Sequence, residues 1–562
     1  MKRFTTILFV LSACMMQALP QNPKWFKKAH KAVFSIMTLD ADGRMIGSGT
    51  GFFTDEKGAA LANYDLFKHA AKAKIIGSDG KEYEVDAIIG ASSLYDIVKF
   101  RVKTDKKTPF LAVADRIGVN GEQVFIMPYP TKEHSVCLED TLKDIQKFNG
   151  EFGYYTLHRR LDEQYVNCPV MSEEGEVLGM IQKNAGGQKA AVSYAISTSF
   201  GNTLALNAMS AADNDLNAIK IRKVLPSNEQ EAQTFLFMIA SRSDSATYNG
   251  YLNEYAEMFP DNHNSYVQRA DFYMAHSNYE AAEADMDKAA AKAQAKDEVC
   301  YSFSKMLYEL NLKPGYNMYK DWNMNKALLM AEEAYAANPL PLYTLHEGNI
   351  LYALKEYEKA YEKFFSLRTT NMRSANTFLY AAQCKRMSGA DTLTVLALQD
   401  SAVACFDKPY HKEAAPALLE RANTKLSLGR YREAVLDLNE YELLMRNEVN
   451  DLFYYRREQA EMQCRMFQQA IDDIDRAIRM KPGEALYHAE RAVVYYRIGE
   501  TEEAIRSARE AIKADPDFTD AYRILGICLL ETGKKEEAIG FLQKAKEMGD
   551  ESAGRILEQN TP

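Results

Sequence analysis

Paired cysteines, a basic excess and long apolar runs are all missing from this chain, and each absence removes a class of function. The eight cysteines, Cys14, Cys137, Cys168, Cys300, Cys384, Cys405, Cys464 and Cys528, nowhere form C-x-x-C, which excludes the common zinc and thiol-redox motifs. Lysine and arginine number 68 against 78 acidic residues, a formal charge of −10, so no basic excess is available for the phosphates of nucleic acid. No apolar run reaches the roughly 20 residues that a transmembrane helix needs. Phosphate-binding loops and metal-ligand clusters are also missing, and Gly49-Thr50-Gly51 and Gly186-Gly187 read as turn glycines. The expectation is no cofactor, no metal and no nucleic-acid partner.

What remains is a folded chain of several domains. At 562 residues it is too long for one core, and 47% hydrophobic with 26% charged residues is an ordinary globular balance. Lys2 and Arg3 precede an apolar stretch from Phe4 to about Ala13, the pattern of an export signal over residues 1–20. Cleavage near Ala18–Gln21 would release the protein to a periplasmic or cell-envelope location. Leu11-Ser12-Ala13-Cys14 also resembles a lipobox, which would place a lipid anchor on Cys14. Both outcomes stay open. In an oxidising compartment Cys137 and Cys168 are a candidate disulfide, whereas Cys384, Cys405, Cys464 and Cys528 fall in expected helices and read as buried thiols.

A repeat organises the C-terminal part. Gly499, Ala504 and Ala511 recur 34 residues later as Gly533, Ala538 and Ala545, and Ala492 recurs as Gly526. Pro516 follows the second helix of its unit. Small residues at this period mark crossings of paired helices, and the pattern is that of tetratricopeptide repeats. Further copies run upstream through Ala470, Ala477 and Pro482, then Ala422, Gly429 and Ala434, to Ala270, Ala282 and Ala289. The spacing predicts an all-α solenoid over residues 227–555 with about nine hairpins. One hairpin cannot bury its own apolar face, so neighbours stack. The concave face of such an array holds peptides or partner helices. Tyr343, His346, Asn349, Arg421, Asn423, Arg457 and Arg491 are its exposed candidates, although a solvated helix surface explains each one singly.

Residues 25–205 have another rhythm. Val33 to Met37 alternates with period two, and Asp42-Gly43, Lys57-Gly58, Asp79-Gly80, Asn120-Gly121 and Glu174-Gly175 punctuate short runs, which predicts an all-β domain. Residues 206–226, rich in Ala, Asn and Asp, read as a linker. The order of segments resembles the trypsin-like domain of the HtrA group of envelope serine proteases, a double β-barrel. Gly47-Ser48-Gly49-Thr50-Gly51-Phe52-Phe53 resembles its first hairpin, and Asn63-Tyr64-Asp65 stands where that family carries the catalytic His. Tyr95-Asp96-Ile97-Val98 resembles the strand with the catalytic Asp, and Val166-Asn167-Cys168-Pro169-Val170 stands where Ser-Gly-x-Pro-Val would be.

That mechanism needs a hydroxyl nucleophile, an imidazole and an orienting carboxylate. The resemblance places Asp65 at the imidazole position, Asp96 at the carboxylate, Val166 at the nucleophile and Gln164 at the oxyanion-hole Gly. Only Asp96 matches, so the resemblance implies a pseudoprotease. His69 as a displaced base, Cys168 as a nucleophile and Asp65 with Asp96 as a carboxylate pair are the alternatives, and a bland role suits each better. The expected function is an exported, non-catalytic protein-binding scaffold whose partners sit on the repeat array and in the barrel cleft. An unconventional peptidase or hydrolase and a structural subunit of an envelope complex remain as alternatives.

Overall fold

The computed structural model describes residues 22–130, 136–184, 191–446 and 448–560. The export segment, Cys14 and Gly186-Gly187 lie outside the described residues. The chain divides into two compact units, Met1–Arg269 and Ala270–Pro562.

The first unit holds two closed antiparallel barrels. Strands β1 (Val33–Leu39), β2 (Met45–Phe53), β3 (Ala59–Ala62), β4 (Lys72–Ile76), β5 (Glu82–Ser92) and β6 (Ile97–Val102) close in the order β1-β2-β3-β6-β5-β4. Strands β7 (Gln123–Ile126), β8 (Leu138–Phe148), β9 (Phe152–Leu157), β10 (Pro169–Met171), β11 (Val177–Ile181) and β12 (Tyr194–Ser197) close in the order β10-β11-β12-β9-β8-β7. Alternation along β1 aims Phe34 and Ile36 into the first barrel, where they join Ile75, Ile88, Val98 and Phe100. Val33, on the other face of the strand, joins a cluster shared between the barrels with Phe52, Ile97, Phe125, Met180 and Ile196. A third cluster, around Tyr155, Leu142 and Val170, fills the second barrel.

Residues 206–226 are not a linker. Leu206, Leu216, Ile219 and Ile221 are buried in the core of the first barrel. The Ile88 N–H donates to Arg222 O at 2.8 Å and the Val224 N–H to Ile88 O at 3.0 Å, a parallel bridge on β5. The polar composition that suggested a linker serves instead as caps, with the Asn207 and Asp213 side chains accepting from Met209 N–H and Leu216 N–H.

Nineteen helices of eight or more residues follow among the described residues. They are α1 (Glu229–Ile239), α2 (Ser245–Met258), α3 (His263–Ala275), α4 (Tyr279–Lys292), α5 (Lys296–Leu312), α6 (Met324–Ala337), α7 (Pro341–Ala353), α8 (Tyr357–Ser366), α9 (Ala375–Met387) and α10 (Thr392–Val403). After them come α11 (Ala415–Ser427), α12 (Tyr431–Met445), α13 (Asp451–Gln463), α14 (Phe467–Met480), α15 (Ala485–Ile498), α16 (Thr501–Ala514), α17 (Thr519–Glu531), α18 (Lys535–Glu547) and α19 (Glu551–Asn560). The first pair belongs to the barrel unit, where Arg101 and Arg222 bridge Asp86 of β5 to Glu254 of α2.

The small residues sit where helices touch. Ala492, Ala504, Ala511, Ala538 and Ala545 are fully buried. At Gly526 an added Cβ would lie 2.6 Å from Leu542 Cγ, so α17 and α18 close to a distance no side chain would allow. Gly499 ends α15 in the left-handed conformation, φ +84°, and Pro516 follows α16.

Candidate functional site

A cavity of about 710 Å³ opens in the barrel unit and is lined by Asp65, His69, Gln164, Val166, Asn167 and Lys183 among others. The structure therefore brings together three of the four positions singled out from sequence, and Asp96 is bonded to one of them.

Asp96 lies just before β6 with φ +47°, a left-handed conformation uncommon for a residue with a Cβ. Its Oδ1 accepts the Asp65 backbone N–H at 2.9 Å, and its Oδ2 faces Asn63 Nδ2 at 3.4 Å. Burial raises its pKa, opposed mainly by those two donors. The Asp96 carboxylate is thus held at position 65 by the main chain, whatever side chain stands there.

That side chain is an exposed carboxylate. An ionised Asp is a weak base toward an alcohol at neutral pH, because its ordinary pKa lies near about 4. Opposite it, Val166 presents only methyl groups. Gln164 occupies a single 3-10 turn, Glu163–Tyr165.

Asn167 is the residue whose part in the site the sequence reading left out. Its Nδ2 donates to Asn63 Oδ1 at 2.8 Å, and the chain Asp96–Asn63–Asn167 crosses the cleft from one barrel to the other. Its φ of +68° supplies the left-handed turn for which the resembled motif uses Gly, and Asn is among the residues that tolerate it. The signal was present as Asn at the motif's Gly position. Asn167 is 2% exposed, and its Oδ1 has no hydrogen-bond partner among the described residues.

The three candidate substitutes for a triad resolve individually. His69 is exposed just past the helical turn Tyr64–Phe67, and its ring makes no hydrogen bond among the described residues. Cys168 is fully buried, and burial pushes its thiol up to about 12, which suppresses the thiolate needed for attack. Cys137 and Cys168 are both free and belong to different clusters, so the candidate disulfide is not formed. Asp65 and Asp96 meet through a backbone N–H rather than carboxyl to carboxyl.

In the array most of the residues read from sequence as exposed candidates prove structural. Tyr343 and His346 are buried; Tyr343 Oη donates to Asp297 at 2.9 Å, and His346 Nε2 lies 3.0 Å from Ser304 Oγ. Burial lowers His346 to about 4. Ser304 Oγ already donates to Ala327 O at 2.6 Å, so this pair ties helices together. Arg421 grips Asp437 through two bonds of 2.9 and 2.7 Å, and Arg457 grips Asp473 through two of 2.6 and 2.8 Å. Arg491 bonds Ser507 at 3.1 Å and Asp475 at 3.0 Å. Only Asn423 is fully exposed, and it lines two adjoining cavities of about 280 and 340 Å³. Cys405 and Cys464 lie just past helix ends and are half-buried, unlike Cys384 and Cys528.

No group of three or more His, Cys, Asp or Glu among the described residues could hold a metal ion, and no helix among them is long and apolar enough to cross a membrane.

Comparison with known proteins supplies the two domain types. Residues 49–180 match the family model of the trypsin-like peptidase domain, and residues 459–517 and 490–553 match that of the tetratricopeptide repeat. Among curated proteins, the small glutamine-rich tetratricopeptide repeat-containing protein 2 of Mycosarcoma maydis is 34% identical over 87 residues, 16% of this chain and 25% of that protein. Its Saccharomyces cerevisiae namesake is 29% identical over 94 residues, 17% of this chain and 27% of that protein. The chain thus spans about a quarter of the length of these relatives. Among solved structures, the serine endoprotease of Yersinia pestis aligns at 15% identity and TM-score 0.29, covering 33% of this chain and 66% of that one. The protein therefore joins a trypsin-like double barrel to tetratricopeptide repeats.

Proposed function

We propose that this protein is an exported, non-catalytic scaffold that binds other proteins through its repeat array and through the cleft of a protease-like domain that no longer cuts. The observation carrying the reading is the content of the cleft. Asp96 is positioned as an orienting carboxylate, but the positions matched to the imidazole, the nucleophile and the oxyanion-hole residue carry a carboxylate, an alkyl side chain and an amide, and none of these combines nucleophile with base. Cys168 is sealed in the second barrel. The cleft keeps its volume and polar network, which suits holding an extended segment. Tetratricopeptide arrays hold partners by the same physics of preformed grooves, and two such surfaces on one chain bind one client with avidity. Export rests on Lys2, Arg3 and the apolar stretch after them.

The test uses the full chain and fluorescein-labelled casein. Anisotropy should rise on binding, and no fragments should appear over a day's incubation at neutral pH. Fragments that vanish in Asp96→Asn or Cys168→Ala variants would overturn the non-catalytic reading.

A further inference from the structure

Glu458 is out of place. It stands 34 residues before Ala492, which itself stands 34 before Gly526, and so occupies the small-residue position where helices of the repeat cross. Its side chain is fully buried in α13; Oε2 accepts from Gln459 Nε2 at 2.8 Å, and Oε1 has no partner among the described residues. One turn later Glu461 is 2% exposed, with Oε1 3.8 Å from Arg457 Nε and Oε2 also without a partner.

Cations nearby are already engaged. Arg457 directs its guanidinium to Asp473 and Asn439, and to Glu442 at 2.7 Å. Arg476 of α14 bonds Glu442 at 2.9 Å and lies 3.5 Å from Asp473. The acidic groups acting on the pair are Glu490 from α15 and Asp472 and Asp473 from α14, while Glu442 from α12 acts on Asp473 and Asp520 from α17 acts on Glu490. With all carboxyls ionised, the surplus of buried negative charge would face two guanidinium groups. An ionised carboxylate with an unpartnered oxygen in such a place is strongly disfavoured, and a neutral carboxyl is the state the packing accepts.

We propose that the α13–α14 hairpin is a proton-operated joint in the repeat array, in which Glu458 and Glu461 are neutral acids when the hairpin is closed and their ionisation loosens it. Burial first, then Glu490 for Glu458 and Asp473 for Glu461, raises both to about 8. The sign follows from linkage. A carboxyl whose folded pKa exceeds its unfolded value binds more protons in the folded state, so stability falls with rising pH between the two values. The fall begins near the ordinary carboxyl range, continues to about pH 8 and then levels off. Each such group changes the opening equilibrium by about tenfold per pH unit within that window.

The experiment is amide hydrogen exchange on the full chain from about pH 5 to pH 9, corrected for intrinsic rates, with α17–α18 as internal control. Protection of α13–α14 should drop at least tenfold per pH unit up to about pH 8 and then flatten, while the control changes far less. Glu458→Ala with Glu461→Gln should abolish that difference between the hairpins. An unchanged slope in the double variant, or no slope in the native chain, overturns the proposal. Should the variant not fold, infrared difference spectra of the native chain decide the matter: a protonated carboxyl band must be present at about pH 6 and lost by about pH 9, and its absence at the lower pH refutes the joint.

Discussion

Replacing Arg457 by Met is the sharpest test of the array's construction, because the sequence reads that residue as exposed and the structure buries it. As a contact on an exposed helix face it would matter to partners and not to stability. In the structure its side chain is 4% exposed, makes two bonds of 2.6 and 2.8 Å to Asp473, reaches Glu442 at 2.7 Å and Asn439 at 3.0 Å, and lies over the Phe453 ring at 5.1 Å. Removing one partner of a buried pair costs about 3–5 kcal/mol, since the other charge is left without compensation. Arg476, 3.5 Å from Asp473, offsets part of that, so about 3 kcal/mol is expected for Arg457→Met. Removing both charges as Arg457→Met/Asp473→Leu should restore most of the loss, because apolar replacements of buried pairs are near neutral. Urea denaturation at pH 7, followed with hydrogen exchange localised to α13–α14, measures both. A single-variant loss under about 1 kcal/mol, or a double variant no better than the single, refutes the buried-pair account. Loss of peptide binding at unchanged stability would favour the exposed reading instead.

Three further outcomes follow from local geometry. Gly58→Ala should lower barrel stability by about 2–3 kcal/mol, more than Gly43→Ala at about 1 kcal/mol. Both have positive φ, but only at Gly58 would the new Cβ fall 2.5 Å from Val102 O, and paired melting curves isolate that clash. Asn167→Ala should cost about 2 kcal/mol and Asn167→Gly about 1 kcal/mol, as glycine regains the left-handed backbone while both lose the bond to Asn63; equal costs would deny the backbone role. Cys137 and Cys168, each raised to about 12 by burial, should resist iodoacetamide at pH 8 until the chain is unfolded, which peptide mass spectrometry of the alkylated protein would show.

How much of this was legible depends on whether a feature is local. Period-two alternation placed β1, and the turn glycines placed the hairpins, because one residue's φ or one strand's two faces suffice to dictate them. The 34-residue spacing placed α15–α18 for the same reason: Ala504 and Ala538 answer to a helix crossing that repeats. Residues 206–226 failed that logic. Their burial depends on β5, more than a hundred residues earlier in sequence, and Asn207 and Asp213 look the same in a linker as in a helix cap. Tyr343, His346 and Arg457 failed likewise. Their partners Asp297, Ser304 and Asp473 lie on neighbouring helices, and a polar residue facing a neighbour has the same periodicity as one facing water.

In the cleft, backbone geometry is fixed independently of the side chains that line it. Asp96 takes its shorter bond from a backbone N–H, and a backbone donor is indifferent to the side chain at position 65. Asn167 holds a left-handed turn that any residue tolerant of that conformation can hold. The positions that shape the loops are thus separable from those whose side chains line the cleft, such as Asp65 and Val166. Asp96 bonded to the main chain at position 65, beside an amide network that crosses the cleft, is what such a separation produces. The same separation works in reverse at Glu458, where the backbone keeps the repeat's register while the side chain departs from it. Register alone therefore states where a residue lies, and only its surroundings state what its chemistry is.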